Sequence, residues 1–239
     1  MATEAKKRQQ MDAILRAWEK QSMGRMTIDA RFVRLDVSKV WGNTEYRGRA
    51  SLQSPSLAYL ELKKVDKQKK PPTLVPHEEI ICTGSHVLQY AYETQQIFVF
   101  PLAKDQRKRA LDEGPLPFLF NTRAAELTAR YDLSLVDENK DVYLIGVMPR
   151  LETDQESFSK AFIWLNKVSF LPDKLVLFAP NEQDTKEYTF TLINENKPFD
   201  PGTFKGQRRP GWKVVENPVA PQAPPANRRG ARLPAQERK

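Results

Sequence analysis

The sequence predicts a mainly β protein with covering helices, an α+β architecture built on about eleven strands. Three observations predict it. Period-two runs rich in branched and aromatic residues recur from Met26 to Ile193. Prolines and short polar turns separate them. Helical periodicity is confined to the N-terminus and one mid-chain region. Strands that follow one another through short polar links make an antiparallel meander rather than βαβ units.

Residues 5–23 read as a helix, with Met11, Ile14, Leu15 and Trp18 at i, i+3, i+4, i+7 and Lys, Arg and Gln elsewhere. Such a stripe needs a surface to cover. From Met26 the period becomes two: Ile28, Ala30 and Phe32 alternate with Asp29, Arg31 and Val33 towards Trp41. Gly42-Asn43 turns the chain into a strand over 46–53, which Ser54-Pro55 ends, because proline cannot donate to a ladder. A third strand runs from Leu57 to Val65, and the charged, proline-bearing stretch 64–76 reads as a solvated loop. Glu79 to Thr83 leads past Gly84 into a hairpin, Val87–Tyr92 and Ile97–Phe100, turned by Glu93-Thr94-Gln95. Apolar groups fall on both faces of that hairpin. It therefore belongs in the middle of a sheet covered on both sides, or lines an apolar hollow.

The middle of the chain breaks the pattern. Residues 104–113 read as a charged helix, 114–120 as an apolar plug after Gly114-Pro115, and 122–130 as a short helix with Thr122 as N-cap. This helical insert is the natural cover for the hollow face. Strands resume at 131–136, 142–148, 161–168, 174–179 and 187–193, with a polar turn or short helix over 154–159.

The chain of 239 residues, 40% hydrophobic, can bury a sizeable core. Residues 1–217 read as one domain. Residues 218–239 are Pro-, Ala- and Arg-rich with almost no large apolar residue, and read as a disordered basic tail. Of the formal net charge of +8, half sits in that tail. The body is only mildly basic, which argues against a nucleic-acid partner. The lone Cys82 lies within an apolar strand and reads as a buried, inert thiol. No apolar run approaches the length of a membrane span.

Catalytic signatures are missing: there is no G-x-S-x-G, P-loop, G-x-G-x-x-G or H-E-x-x-H. His77, His86 and Cys82 lack metal-ligand spacing. No metal or cofactor is expected, and no enzymatic activity. What remains is apolar wall. A barrel-like sheet lined with aromatics either fills itself or holds an apolar guest.

At this point the order of motifs resembles the LolA family, the periplasmic carriers of outer-membrane lipoproteins. The resemblance rests on Ala30-Arg31-Phe32 after the leading helix, Gly48 to Pro55, Thr83 to Tyr90 with Gln96, Pro117-Phe118-Leu119-Phe120, Tyr131 to Pro149, and Phe204 with Pro210-Gly211-Trp212-Lys213-Val214. Ser54 stands where the family places a lid-gating arginine, and Thr83 and Leu88 where it places aspartate and tryptophan. The resemblance implies an incomplete, strongly curved antiparallel barrel closed by the N-terminal helix and the mid-chain insert. It implies a soluble, monomeric carrier that holds acyl chains of lipoproteins or other lipids and hands them between membrane-bound donor and acceptor proteins across the periplasm. The stretch Met1 to Arg8 has no apolar segment behind it, so a periplasmic location means that the export signal has been removed. The cavity is expected to be lined by Phe32, Leu52, Leu60, Tyr90, Phe98, Phe100, Phe118, Phe120, Trp164, Leu177 and Phe190. Two other readings stay open: a sensor or protein-interaction module on the same fold, and a small-molecule enzyme on this scaffold.

Overall fold

The computed structural model describes residues 2–103 and 123–216. Helix α1 spans Ala2–Ser22. Six strands follow: β1 (Thr27–Ser38), β2 (Gly42–Gln53), β3 (Leu57–Asp66), β4 (Thr73–Thr83), β5 (His86–Ala91) and β6 (Gln96–Pro101). After α2 (Ala124–Arg130) come β7 (Tyr131–Glu138) and β8 (Val142–Pro149), then α3 (Glu152–Gln155). Strands β9 (Lys160–Asn166), β10 (Pro172–Phe178), β11 (Thr185–Glu195) and β12 (Lys213–Glu216) complete the order.

All twelve strands form one sheet, in the order β12-β6-β5-β4-β3-β2-β1-β11-β10-β9-β8-β7. Neighbours are antiparallel except β12, which runs parallel to β6. The meander is as expected. The sheet is open, however: β12 and β7 are its two edges, and it does not close into a barrel. It wraps instead. Leu62 on β3 and Tyr131 on β7 stand at the ends of an eight-strand run of that order, yet they share one hydrophobic cluster with α1.

Several boundaries differ from the sequence reading, and one strand is added. Strand β4 starts at Thr73, inside the stretch read as a loop. Its Pro76 pairs with Lys63 where the β3–β4 register shifts, a place where an irregular ladder tolerates a residue without an N–H. The twelfth strand, four residues long, was not foreseen. Helix α2 begins at Ala124, capped by Arg123 without a side-chain hydrogen bond. The expected N-cap Thr122, the helix over 104–113, the plug over 114–120 and the tail 218–239 lie outside the described residues.

The sheet has an inner face under α1 and an outer face. Inner positions follow from the ladders: Ile28 opposite Leu52, Ala30 opposite Ala50, Phe32 opposite Gly48. The same face continues through Leu60 and Ile80 to Gln89 and Phe98. On the other side it runs through Tyr188, Leu175, Ile163 and Ile145 to Leu135. Cys82 is buried on this face, donates its thiol hydrogen to the Ser56 carbonyl at 3.0 Å, and has its pKa pushed up by burial. Gly84, at φ +84°, turns β4 into β5 in a conformation that glycine adopts without steric cost.

Gly48 has a packing reason. A Cβ built there would lie 2.2 Å from the Phe32 ring, so the ring rests directly on the β2 backbone. Gly48→Ala should cost about 1–3 kcal/mol by overpacking, read from the urea midpoint, and a smaller residue at Phe32 in the same chain should recover part of it.

Candidate functional site

Seven of the eleven residues expected to line a cavity share the inner face. Phe32 packs against Tyr188 and Phe190, with ring centroids 5.6 and 5.9 Å away. Leu177 is buried in the same cluster, and the half-buried Leu60 and Phe190 pack against it. Leu52 is buried in a second inner cluster with Ile28, Ala30, Ala58 and Cys82. Phe98 and Phe100 on β6 are half-buried and extend the wall beyond Gln89 and Val87. Phe118 and Phe120 lie outside the described residues.

Tyr90 and Trp164 stand on the outer face. Tyr90 pairs through Glu79 and Glu61 to Arg49, one register position away from the inner row. Trp164 pairs with Lys174, whose ammonium sits 5.4 Å from its ring. Both strands are apolar on both faces, so alternation alone could not choose between them, and a shift of one residue reverses the assignment.

The inner face is occupied by α1. Met11, Ile14, Leu15 and Trp18 are buried against residues of β1, β2, β3 and β7 to β11. Trp18 is fully buried, and its indole N–H has no acceptor among the described residues. The two ends of the helix are held differently. At its C-terminal end Arg25, 5% exposed, donates to Glu195 at 2.7 Å, to Ser22 at 3.3 Å, and to the carbonyls of Ser169 and Phe170. This ties the α1–β1 joint to β11 and to the β9–β10 turn. Towards the N-terminal end, Gln10 donates to Glu138 at 2.7 Å, and Lys167 steadies that carboxylate from the other side at 2.5 Å. Among the described residues, these are the side-chain hydrogen bonds that α1 makes. The helix is thus anchored at one end and held elsewhere mainly by its apolar stripe.

The apolar trough ends in a polar cluster that the sequence reading missed. Arg34 makes a two-pronged bond to Asp36, at 2.6 and 2.5 Å, beneath the Tyr46 ring at 4.9 Å. Burial would push the guanidinium down, but the hydrogen bonds and charge of Asp36 win and hold it firmly protonated. Burial pushes the Tyr188 phenol up. The His77 ring lies tilted against Tyr46 with centroids 4.9 Å apart, and Glu78 accepts from Gln89 at 2.6 Å. The signal in the sequence was Arg34 on the inward phase of β1, two residues after Phe32.

The outer face carries its own cover. Residues 196–212 form a strap that leads from β11 back to β12 beside β6. Gly206 lies so close to Leu88 that a Cβ would sit 1.8 Å from it. Gln207 both donates to and accepts from the Tyr90 hydroxyl, at 2.8 and 2.9 Å. Arg209 pairs with Glu79 and lies 4.7–5.1 Å from the rings of Tyr90, Tyr92 and Trp212. Two cavities accompany these covers. One of about 590 Å³ lies between strap and outer face. The other, about 400 Å³, lies by the β1–β2 and β10–β11 turns, lined by Val37, Trp41, Leu177 and Pro180 among others. Neither lies under the α1 stripe.

The family model described as outer membrane lipoprotein carrier protein LolA matches residues 25–207. No curated protein sequence matches the chain. Among solved structures, an uncharacterised conserved protein from Thermus thermophilus superposes with TM-score 0.52 at 14% identity, over 87% of this chain and 99% of that one. A LolA superfamily protein from Nitrosomonas europaea gives TM-score 0.39 at 11% identity over 81% and 97%. The Pseudomonas aeruginosa MucA/MucB complex gives 0.42 at 15% identity over 81% and 61%. Of these three, the first superposes closely enough to support the fold.

Trp18 separates packing from polarity. Trp18→Ala should cost about 3–5 kcal/mol in chemical denaturation. Trp18→Phe, which removes the unpaired N–H with most of the ring kept, should be nearly neutral.

Proposed function

The chain belongs to the LolA outer membrane lipoprotein carrier family, and from that premise we propose that it is a non-catalytic carrier of acyl chains. In this reading α1 is a lid that gives up its place on the inner face to the guest. The observation that carries it is Trp18, fully buried in the cluster that joins α1 to the inner face, with an indole N–H that has no acceptor among the described residues.

The magnitudes favour an exchange. Burying four large apolar side chains is worth about 1.5–3 kcal/mol each, so the α1 stripe contributes roughly 6–12 kcal/mol. An acyl chain gains about 0.8 kcal/mol per methylene, so about 15 methylenes give about 12 kcal/mol. A buried N–H without an acceptor among the described residues, such as that of Trp18, costs a further ~1–3 kcal/mol that leaving the trough would recover. Helix and guest are therefore close competitors for one surface. The joint at Arg25 keeps the displaced helix tethered, and the weak hold near Gln10 lets its other end lift. The wall left uncovered would include Phe32, Leu60, Leu177 and Phe190, extended by Leu52, Phe98 and Phe100. Phe118 and Phe120 are proposed as further contacts from the mid-chain segment. Tyr90 and Trp164 are not part of this wall.

Acyl chains of lipoproteins or other lipids are the proposed cargo, the periplasm the proposed location, and membrane-bound donors and acceptors the proposed partners. We propose that residues 1–217 act as the carrier domain and 218–239 as an appended basic tail.

The lid reading is tested by tethering. Cysteines replacing Gln10 and Glu138, joined by a thiol-cleavable linker, should abolish uptake of a fluorescent palmitate, and reduction should restore it. Uptake unchanged by the tether would remove α1 from the mechanism. Lack of uptake by the untethered chain would remove the carrier function itself.

A further inference from the structure

The cavity on the outer face is independent of the trough, and its chemistry is different. Its floor is Tyr59 on β3, Glu79 and Ile81 on β4 and Tyr90 on β5, and its roof is the strap. At about 590 Å³ it falls within the range of small-molecule sites. It is also held in shape. Gln207 is locked to the Tyr90 hydroxyl, Gly206 seats the strap against Leu88, and Arg209 is clasped by three aromatic rings.

The charges inside do not cancel. Among the described residues the lining has one carboxylate, Glu79, and it is taken by Arg209 and by the Tyr92 hydroxyl at 3.0 Å. Lys205 and Arg208 also line the cavity, and both are exposed. Neither forms an ion pair among the described residues. Thr203 adds a hydroxyl, and the Tyr59 phenol adds another that makes no hydrogen bond among the described residues. Burial, with the charges of Glu79 and Glu61, pushes the Tyr59 pKa up, so this phenol remains a donor. Two cations and two hydroxyls thus face a preformed space in which, among the described residues, the only acid is already satisfied. Guanidinium and ammonium groups so arranged fit the oxygens of a carboxylate or a phosphate ester.

We propose that the cleft between the strap and the outer face binds an oxyanion group, carboxylate or phosphate ester, through Lys205, Arg208, Thr203 and Tyr59. The group could belong to a free small molecule or to a lipid headgroup. This site requires no movement of α1 and does not depend on acyl-chain transport.

The experiment uses the full chain in three forms. These are the unaltered protein, Lys205→Ala with Arg208→Ala, and a tail control with Arg228→Ala, Arg229→Ala and Arg232→Ala. Citrate and glycerol 3-phosphate are titrated by calorimetry, and phosphatidylglycerol vesicles are tested by co-sedimentation. Binding of at least one probe is expected, weakened about tenfold or more in the Lys205/Arg208 variant, with an unchanged melting temperature and no effect of the tail control. A soluble anion as the binding probe assigns a free ligand, and vesicles alone assign a headgroup; either supports the site. No binding to any probe, binding that is indifferent to Lys205 and Arg208, or a loss that follows the tail variant would each overturn it.

Discussion

The contact between α1 and the inner face governs the rest of the structure. A twelve-stranded open sheet presents an apolar wall from Phe100 on β6 to Leu135 on β7. That wall cannot face water. The stripe of Met11, Ile14, Leu15 and Trp18 covers its central part, and the sheet curls to meet the helix. Everything that positions a ligand site follows from this. The wall is a continuous surface, and its cover is a separate segment joined at one clamped end.

The outer face shows the same physics with different chemistry. Near β3 to β6 it too is apolar, with Ile81, Tyr90 and Ile97 buried in a cluster of their own. Here the cover is the strap, and it is fastened by directed bonds rather than by a stripe. A buried carboxylate that has lost its partner is costly, so the Glu79–Arg209 pair resists opening in a way that the α1 stripe does not. One cover is built to stay and the other to exchange. In the proposed reading, this difference assigns acyl exchange to the inner face and oxyanion binding to the fixed outer cleft.

Much of the fold was legible in the sequence, because strand periodicity and turn residues are local signals. Eleven strands and the leading helix were read near their observed positions. The misses have physical causes. Pro76 argued against a strand but sits at a register shift, where a missing N–H costs little. Strand β12 is only four residues long and pairs in parallel with a distant segment, which no local pattern encodes. For the site, the seven inward residues were legible from their alternation within each strand. Tyr90 and Trp164 were misplaced because their strands carry apolar residues on both faces, so alternation does not choose between the two rows. Arg34 escaped notice because the groups that compensate its burial, Asp36 and two tyrosines from other strands, meet it only in the folded sheet. The Arg209 clasp joins residues far apart in sequence, so only the fold reveals it.

The central claim is that helix and acyl chain compete for one surface. Amide hydrogen exchange along α1, measured with and without saturating palmitate, addresses it most directly. The account predicts that residues 11–22 lose protection on loading while β1, β2 and β9 keep theirs. A loaded protein in which α1 stays as protected as in the empty one would contradict it.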